Sequence, residues 1–464
     1  MAVLGAGAEP TVRRWPAFDE LERTTAGALS STDRPLGSFG HVALWGNLGA
    51  GLYLLVIGAW LVPALSIPWA IAATLVGAGL GAALVAAAVH LGANENRPGV
   101  VLHRGALGET GASLYAVLAI CRHIMWGALQ LAIAAELAAA IVERQGVGGS
   151  RPLWAALFGL LLLLAALHPL SVVRHWLMPS AALTLLVAFA FAYSGWSGFG
   201  IPAMLERDSA AAWPSVTQAI DLVAAAALIW LPVASDLGRL GGGRHAGAAA
   251  FGGLASMTVW FVLIGALFIP MVDGNDLAGF LLSTPLGVLA VLVVIVLELD
   301  GAFVSLYALA STARAWTPKA DVALPSVVAG AAVFAIGAAL LNPFDYGDAL
   351  LLLGAAFAPL LGVLLGARAA RRRFGHAAPP RAGGAVAWTL GFLLYNWASP
   401  LDVPVWTPAL SGLFHGLLRL PFPIDAPGLS ATVLGFAAAF VTAAAAVTLC
   451  ARSPQRSERT ARWA

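Results

Sequence analysis

The stretch Trp45-Gly46-Asn47-Leu48-Gly49-Ala50-Gly51 places three glycines in six positions inside an apolar run over about residues 38–62. A second run, over about 218–236, reads Ile229-Trp230-Leu231-Pro232-Val233-Ala234-Ser235-Asp236-Leu237-Gly238, with a proline that removes a backbone donor from its middle. Backbone left unpaired in hydrocarbon is tolerated only where it is buried in protein or lines a cavity. Counted along the chain, these are the first and sixth apolar runs, the corresponding members of two five-helix halves. Interruptions at matching positions of two halves point to a ligand site near the membrane midplane. Close helix contact also uses glycine and competes for the first run taken alone; it does not account for the matched pair.

The composition agrees with a membrane setting. Of 464 residues, 60% are hydrophobic and 10% charged, where a soluble globular protein carries about 25% charged residues; the mean hydropathy is +0.86. A water-soluble fold is excluded. Further apolar runs fall at about 68–92, 112–140, 153–170, 176–199, 247–270, 284–311, 324–341, 348–368, 384–399 and 428–450, which makes twelve expected spans. The fourth is short for a bilayer that needs about 20 apolar residues. Between 401 and 427, Pro404, Pro408, Pro421, Pro423 and Pro427 argue against a continuous span. Residues 1–36 lack the apolar core of a signal peptide and are expected to remain as a cytoplasmic tail. The expected division is helices 1–5 in 37–199, helices 6–10 in 200–370, two peripheral helices in 371–450, and a second cytoplasmic tail in 451–464.

Charge placement orients the chain. With both ends cytoplasmic, 20 Lys and Arg residues fall inside, Arg371, Arg372 and Arg373 among them, and only Arg144, Arg151, Arg207 and Arg419 fall outside. The arginine run at 371–373 is read as a topology signal near anionic lipid. The net charge of +2 favours neither nucleic acid nor an acidic partner, and Cys121 and Cys450 supply neither a disulfide framework nor metal-ligand spacing. No phosphate loop, His/Asp metal cluster or nucleophile elbow marks an enzyme. A channel would need a continuous polar pathway, whereas the intramembrane polar residues cluster in the third and eighth spans. A receptor that binds without transporting has no residue signature that separates it from a carrier.

The order of several segments resembles the nucleobase:cation symporter-1 family, which includes cytosine permeases, hydantoin carriers and hydroxymethylpyrimidine transporters. Gly58-Ala59-Trp60-Leu61-Val62-Pro63 is similar to the end of that family's first helix, and Arg104 to Leu114 to its loop before helix 3. Trp230-Leu231-Pro232 followed by Ser235, Asp236 and Arg239 resembles the hydroxymethylpyrimidine branch; Leu351 to Gly366 and Trp388 to Pro400 resemble its tenth and eleventh helices. The resemblance covers most of residues 38–400. It implies an all-α integral membrane protein of twelve helices, with a five-plus-five inverted-repeat, leucine-transporter-like core and broken helices 1 and 6. It also implies alternating-access import of a small flat heterocycle, of the hydroxymethylpyrimidine or cytosine type, across the cell (inner) membrane, driven by H+ or Na+ without a cofactor. A sodium-coupled carrier of a hydantoin, purine or anionic heterocycle is the alternative.

Within the third span, Trp126 and Gln130 are four apart and share a helix face. An indole stacks on a planar base, worth about 1–3 kcal/mol, and an amide reads a polar edge with donors and acceptors. The family's hydantoin carriers use a Trp and a Gln at this spacing, which implies substrate roles for Trp126 and Gln130 beside Asn47, Gly49 and Trp230. Arg122 departs from the family's pyrimidine pattern, which is neutral there. A buried charge costs about 2.5–3.5 kcal/mol on insertion scales and needs a partner. That partner is either Glu136, fourteen residues on and about 40° off the same face, a carboxylate of the eighth span, or an anionic or carbonyl-rich substrate.

In the eighth span, Leu297-Glu298-Leu299-Asp300-Gly301-Ala302 stands where sodium-coupled relatives place hydroxyls that join carbonyls of helix 1 around the ion. One carboxylate would either ligate sodium or carry a proton, with Asp300 named before Glu298; at about 200° apart on a regular helix, the two do not face one point. Asp236 and Arg239, three apart at the end of the sixth span, read as a gate or helix-end ion pair. The orientation makes the first prediction: a reporter fused after Ala464 is expected to be active only in the cytoplasm, and a reporter accessible from outside would overturn the twelve-span orientation.

Overall fold

The structure, a computed structural model, describes residues 16–25, 27–199, 213–268, 281–282, 287–342, 346–374, 383–399, 406–422 and 429–452. Arg13, Arg14, Arg207, Arg381, Pro400, Pro404, Pro423, Pro427, Arg456, Arg459 and Arg462 lie outside those residues. In chain order the helices are α1 (Pro16–Thr25), α2 (Ser38–Leu48), α3 (Leu52–Leu61), α4 (Ile67–Glu95), α5 (Gly99–Arg144) and α6 (Arg151–Ala166). Next come α7 (Pro169–Val172), which runs through a π-helical turn at Val173–Leu177 into α8 (Met178–Phe199), then α9 (Val216–Leu228), α10 (Leu231–Gly238) and α11 (Ala246–Phe268). The chain continues with α12 (Val288–Trp316), α13 (Ala323–Leu340), α14 (Gly347–Phe374), α15 (Gly383–Ala398), α16 (Trp406–Ser411) and α17 (Ala431–Arg452). Among the described residues there is no strand, only an isolated parallel bridge between Leu36 and Gly241.

Nine described helices are long and apolar enough to cross a membrane, ten when α2 and α3 are one bent span. The chain is a multi-pass membrane protein. The fourth and eleventh expected spans are the helices α6 and α15, each 16 residues long, shorter than the roughly 20 residues a perpendicular span needs.

The two interrupted spans differ in degree. α2 and α3 meet at 60° across Gly49, Ala50 and Gly51. α9 and α10 are separated only by Ile229 and Trp230 and together form one 23-residue span, with Pro232 in the first turn of α10. Trp230 keeps helical dihedrals, and its N–H bonds one residue short, to Ala227 O at 3.1 Å. The expected loop from Arg104 to Leu114 is instead helical: α5 begins at Gly99 and kinks at Gly108, whose φ of 74° is the left-handed conformation that glycine adopts without cost. Within the expected N-terminal tail, α1 buries Leu21 against the bundle.

Glycines of the first span serve packing as well as the break. A Cβ on Gly49 would lie 2.7 Å from Leu254 O, one on Gly58 2.0 Å from Val262 O, and one on Gly265 2.0 Å from Leu55 O. The α2–α3 span therefore meets α11 backbone to backbone, the small-residue contact typical of membrane helices. The N-terminus of α17 is held by Asp221 of α9, which accepts from Ala431 N at 2.7 Å, Thr432 N at 3.0 Å and Ser430 Oγ at 2.7 Å. The two amides are donors that a helix start leaves unpaired. Gly58→Ala should push α3 from α11 and cost about 1–3 kcal/mol, the usual range for overpacking. Gly79→Ala, where an added Cβ meets nothing within 4 Å, should melt like the parent. Thermal melting of detergent-solubilised protein compares them, and equal melting would refute the close contact.

Candidate functional site

The bend in the first span leaves the amide groups at the start of α3 without helical acceptors. Leu52 N donates to Glu298 Oε1 of α12 at 2.8 Å, and a carboxylate there also complements the positive end of the helix dipole. On the other side of the bend, Asn47 Nδ2 donates to Asp300 Oδ2 at 3.0 Å. Glu298 and Asp300 are 0% and 1% exposed. Their separation around α12 is real, and the structure uses it: each carboxylate takes one end of the broken span.

Asp300 also accepts from Ser180 Oγ at 2.8 Å and Trp176 Nε1 at 2.6 Å. Asn47 Nδ2 reaches Leu177 O at 3.1 Å and Ser180 Oγ at 2.5 Å, and Thr184 Oγ1 donates to Asn47 Oδ1. Ser180 and Thr184 of the fifth span thus bring hydroxyls to Asp300 and Asn47. The signal was Trp176, Ser180 and Thr184, spaced by four in an apolar stretch; the π-helical turn at 173–177 helps bring Trp176 and Leu177 O to the cluster, as such turns often do at functional positions. Every polar atom of the Asn47 side chain is engaged here. A cavity of about 310 Å³ adjoins this cluster between the first, fifth and seventh spans, with Asn47, Thr184 and Ser256 among its lining.

A second constellation centres on α5. Arg122, Trp126 and Gln130 follow at four-residue steps and are 1%, 0% and 3% exposed. Tyr53 of α3 meets Trp126 edge-on with ring centroids 5.0 Å apart, and Tyr346, just before α14, does so at 6.3 Å. Trp230 Nε1 donates to Tyr53 Oη at 3.4 Å, Tyr346 Oη donates to Tyr53 O at 2.8 Å, and the Arg122 guanidinium lies 4.9 Å from the centroid of the Trp230 ring. The Gln130 amide rests on the bare backbone of Gly301, where a Cβ would be 1.9 Å from Gln130 Nε2. Tyr53 and Tyr346 were not singled out from the sequence, because tyrosines near the ends of apolar runs are also ordinary interfacial residues.

Several buried polar atoms of this constellation have no hydrogen-bond partner among the described residues: Trp126 Nε1, Gln130 Oε1, Glu298 Oε2, and Arg122 Nε and Nη2. Buried polar groups are paired in the great majority of cases. A cluster of donors and acceptors left over around aromatic rings is the chemistry of a polar, planar ligand. The expected pairing of Arg122 with Glu136 does not occur. Fourteen residues of helix separate them by about 21 Å along the axis, and Glu136 lies 3.5 Å from Arg151 instead. Arg122 forms no ion pair with Glu298 or Asp300 either; among the described residues its hydrogen bonds go to His123 Nδ1 at 3.2 Å and Ser305 Oγ at 3.1 Å.

At the end of the structure that carries the N-terminal segment, Asp236 and Arg239 are 3.8 Å apart and buried. Arg239 donates to Gly27 O and Thr24 O, both at 2.7 Å, and to Ser311 Oγ at 2.9 Å; Asp236 accepts from Gly99 N at 3.1 Å and from Ser311 Oγ. Tyr307 Oη also donates to Thr24 O at 3.0 Å. Glu20 of α1 accepts from Leu170 N at 2.6 Å. The end of α1 and Gly27 are thereby tied to Arg239 at the end of α10, the end of α1 also to Tyr307 of α12, and Glu20 ties α1 to the start of α7.

This architecture matches solved structures of ion-coupled transporters. Mhp1, a nucleobase-cation-symport-1 family transporter in a closed conformation with bromovinylhydantoin bound, superposes with a TM-score of 0.70 at 17% identity, over 94% of this chain and 98% of that one. Mhp1 in its inward-facing conformation gives 0.69 at 16% identity, covering 94% and 96%. A substrate-bound, outward-open Na+-coupled sialic acid symporter gives 0.61 at 11% identity, covering 94% of each chain. No family model matches the sequence, and no curated protein matches it. The fold is therefore the leucine-transporter type, shared with symporters that are not enzymes.

Proposed function

We propose that the chain is a secondary active transporter that imports a nucleobase or related planar heterocycle, of the hydroxymethylpyrimidine or cytosine type, by ion-coupled alternating access. The observation that carries this reading is the set of unpartnered buried atoms on Arg122, Trp126, Gln130 and Glu298, with the rings of Tyr53 and Tyr346 against Trp126 and that of Trp230 against Arg122, beside the break of the first span. Trp126 supplies the stacking plane and Gln130 the edge contact. Gly49 opens the backbone at the break. Asn47 acts through Asp300 rather than on the substrate, since its amide is fully engaged there. Uptake of a labelled panel of hydroxymethylpyrimidine, cytosine, uracil, hydantoins and purines, by cells lacking their own carriers, tests the reading. Trp126→Ala should weaken binding of the accepted compound more than tenfold, in line with the loss of about 1–3 kcal/mol of stacking, whereas Trp126→Phe keeps part of it. Equal loss in both variants would assign Trp126 to packing.

Coupling is assigned to Asp300 first and Glu298 second, because these carboxylates hold the two sides of the bend that alternating access must rearrange. Either H+ on a carboxylate or Na+ beside it would make their charge depend on the driving ion. Proton coupling is placed first, since the eighth span has carboxylates where sodium-coupled relatives have hydroxyls. In vesicles with an imposed pH or sodium gradient, wild-type uptake should follow the pH gradient, and Asp300→Asn should abolish that dependence. Uptake that follows sodium at clamped pH and survives in both Asp300→Asn and Glu298→Gln would overturn the assignment. Asp236 and Arg239 are read as a gate, since the contacts that join them to Ser311, Thr24 and Gly27 close one end of the bundle.

A further inference from the structure

We infer that the substrate carries a negative charge and that Arg122 binds it, an inference that rests on the planar-heterocycle reading above and puts acidic rings in place of the neutral hydroxymethylpyrimidine and cytosine type. A guanidinium stays protonated in proteins. Arg122 is 1% exposed in the third span of a membrane protein, where an unpaired cation is strongly disfavoured. Among the described residues no acid lies within ion-pair distance of it. Arg122 Nη1 donates to His123 Nδ1 at 3.2 Å, so that imidazole carries its proton on Nε2, which faces Thr312 Oγ1 at 3.3 Å. The other protein acceptor, Ser305 Oγ, is neutral, and so is the Trp230 ring beneath the guanidinium.

The buried acids of neighbouring elements are engaged elsewhere. Asp300 takes Asn47, Ser180 and Trp176; Asp236 takes Gly99 N, Ser311 and Arg239; Glu298 Oε1 takes Leu52 N. Two guanidinium nitrogens, Nε and Nη2, remain without a hydrogen-bond acceptor, a pair of adjacent donors that suits the two oxygens of a carboxylate. Gln130 Oε1 and Glu298 Oε2 remain as acceptors. The complementary ligand is a flat ring with an anionic group at one edge and an N–H donor at another, stacked against Trp126.

The probe pair is orotate and uracil, the same ring with and without a carboxylate, measured by direct binding to purified full-length protein. Wild type should bind orotate about tenfold or more tighter than uracil, the scale expected for a buried charge-assisted contact. Arg122→Gln should remove that preference by weakening orotate binding, Arg122→Lys should keep part of it, and thermal melting of both variants beside wild type separates loss of charge from loss of folding. Uracil bound as tightly as orotate by wild type, or a preference that survives in Arg122→Gln, would overturn the inference and leave the heterocycle reading standing. Binding of neither ring, with cytosine and hydroxymethylpyrimidine also failing, would sink both.

Discussion

The bend in the first span is the constraint around which the rest is arranged. In hydrocarbon an unpaired backbone donor costs several kcal/mol, and a helix broken at Gly49–Gly51 creates such donors at the start of α3. Glu298 answers one through Leu52 N, and Asp300 secures the other side through Asn47. Both acids belong to α12, so that helix must stay close to the break. Its close packing with α5 brings Gln130 onto Gly301 and sets Arg122 near Ser305. The polar atoms assigned to substrate thus lie on the same helices that support the bend, and a change in the bend reaches them directly.

A second set of contacts ties the N-terminal segment into the same core. Thr24 O accepts from both Arg239 and Tyr307, one on the sixth span and one on the eighth. Leu29 exchanges backbone bonds with the Asn96 side chain, at 3.1 and 2.8 Å, where α4 ends in a left-handed residue. Arg34 adds bonds to Arg239 O and Ala93 O. Any movement of α10 away from α12 must therefore break bonds to this strap as well as the Asp236–Ser311–Arg239 chain. Hydrogen bonds to charged groups each contribute about 1.5–3 kcal/mol, so that end of the bundle is held firmly in this conformation.

Much of this was legible in the residues. Apolar runs placed the membrane helices, glycines and Pro232 placed the two interruptions, and four-residue spacing put Arg122, Trp126 and Gln130 on one buried face. These features are local: a span is a property of about 20 consecutive residues, and a shared face follows from 3.6 residues per turn. What only the tertiary structure decided is which neighbour each face meets. Helical period gives the direction of a side chain within its own helix and nothing about the helix opposite. Glu136 looked like a partner for Arg122 by angle, yet the rise along the axis carries it to Arg151. Asn47 looked free for substrate until Ser180, Thr184 and Asp300, each more than 130 residues away, took its amide. That Arg122 makes no ion pair with an acid among the described residues is likewise a fact of packing, fixed by bonds between distant segments that no local pattern records.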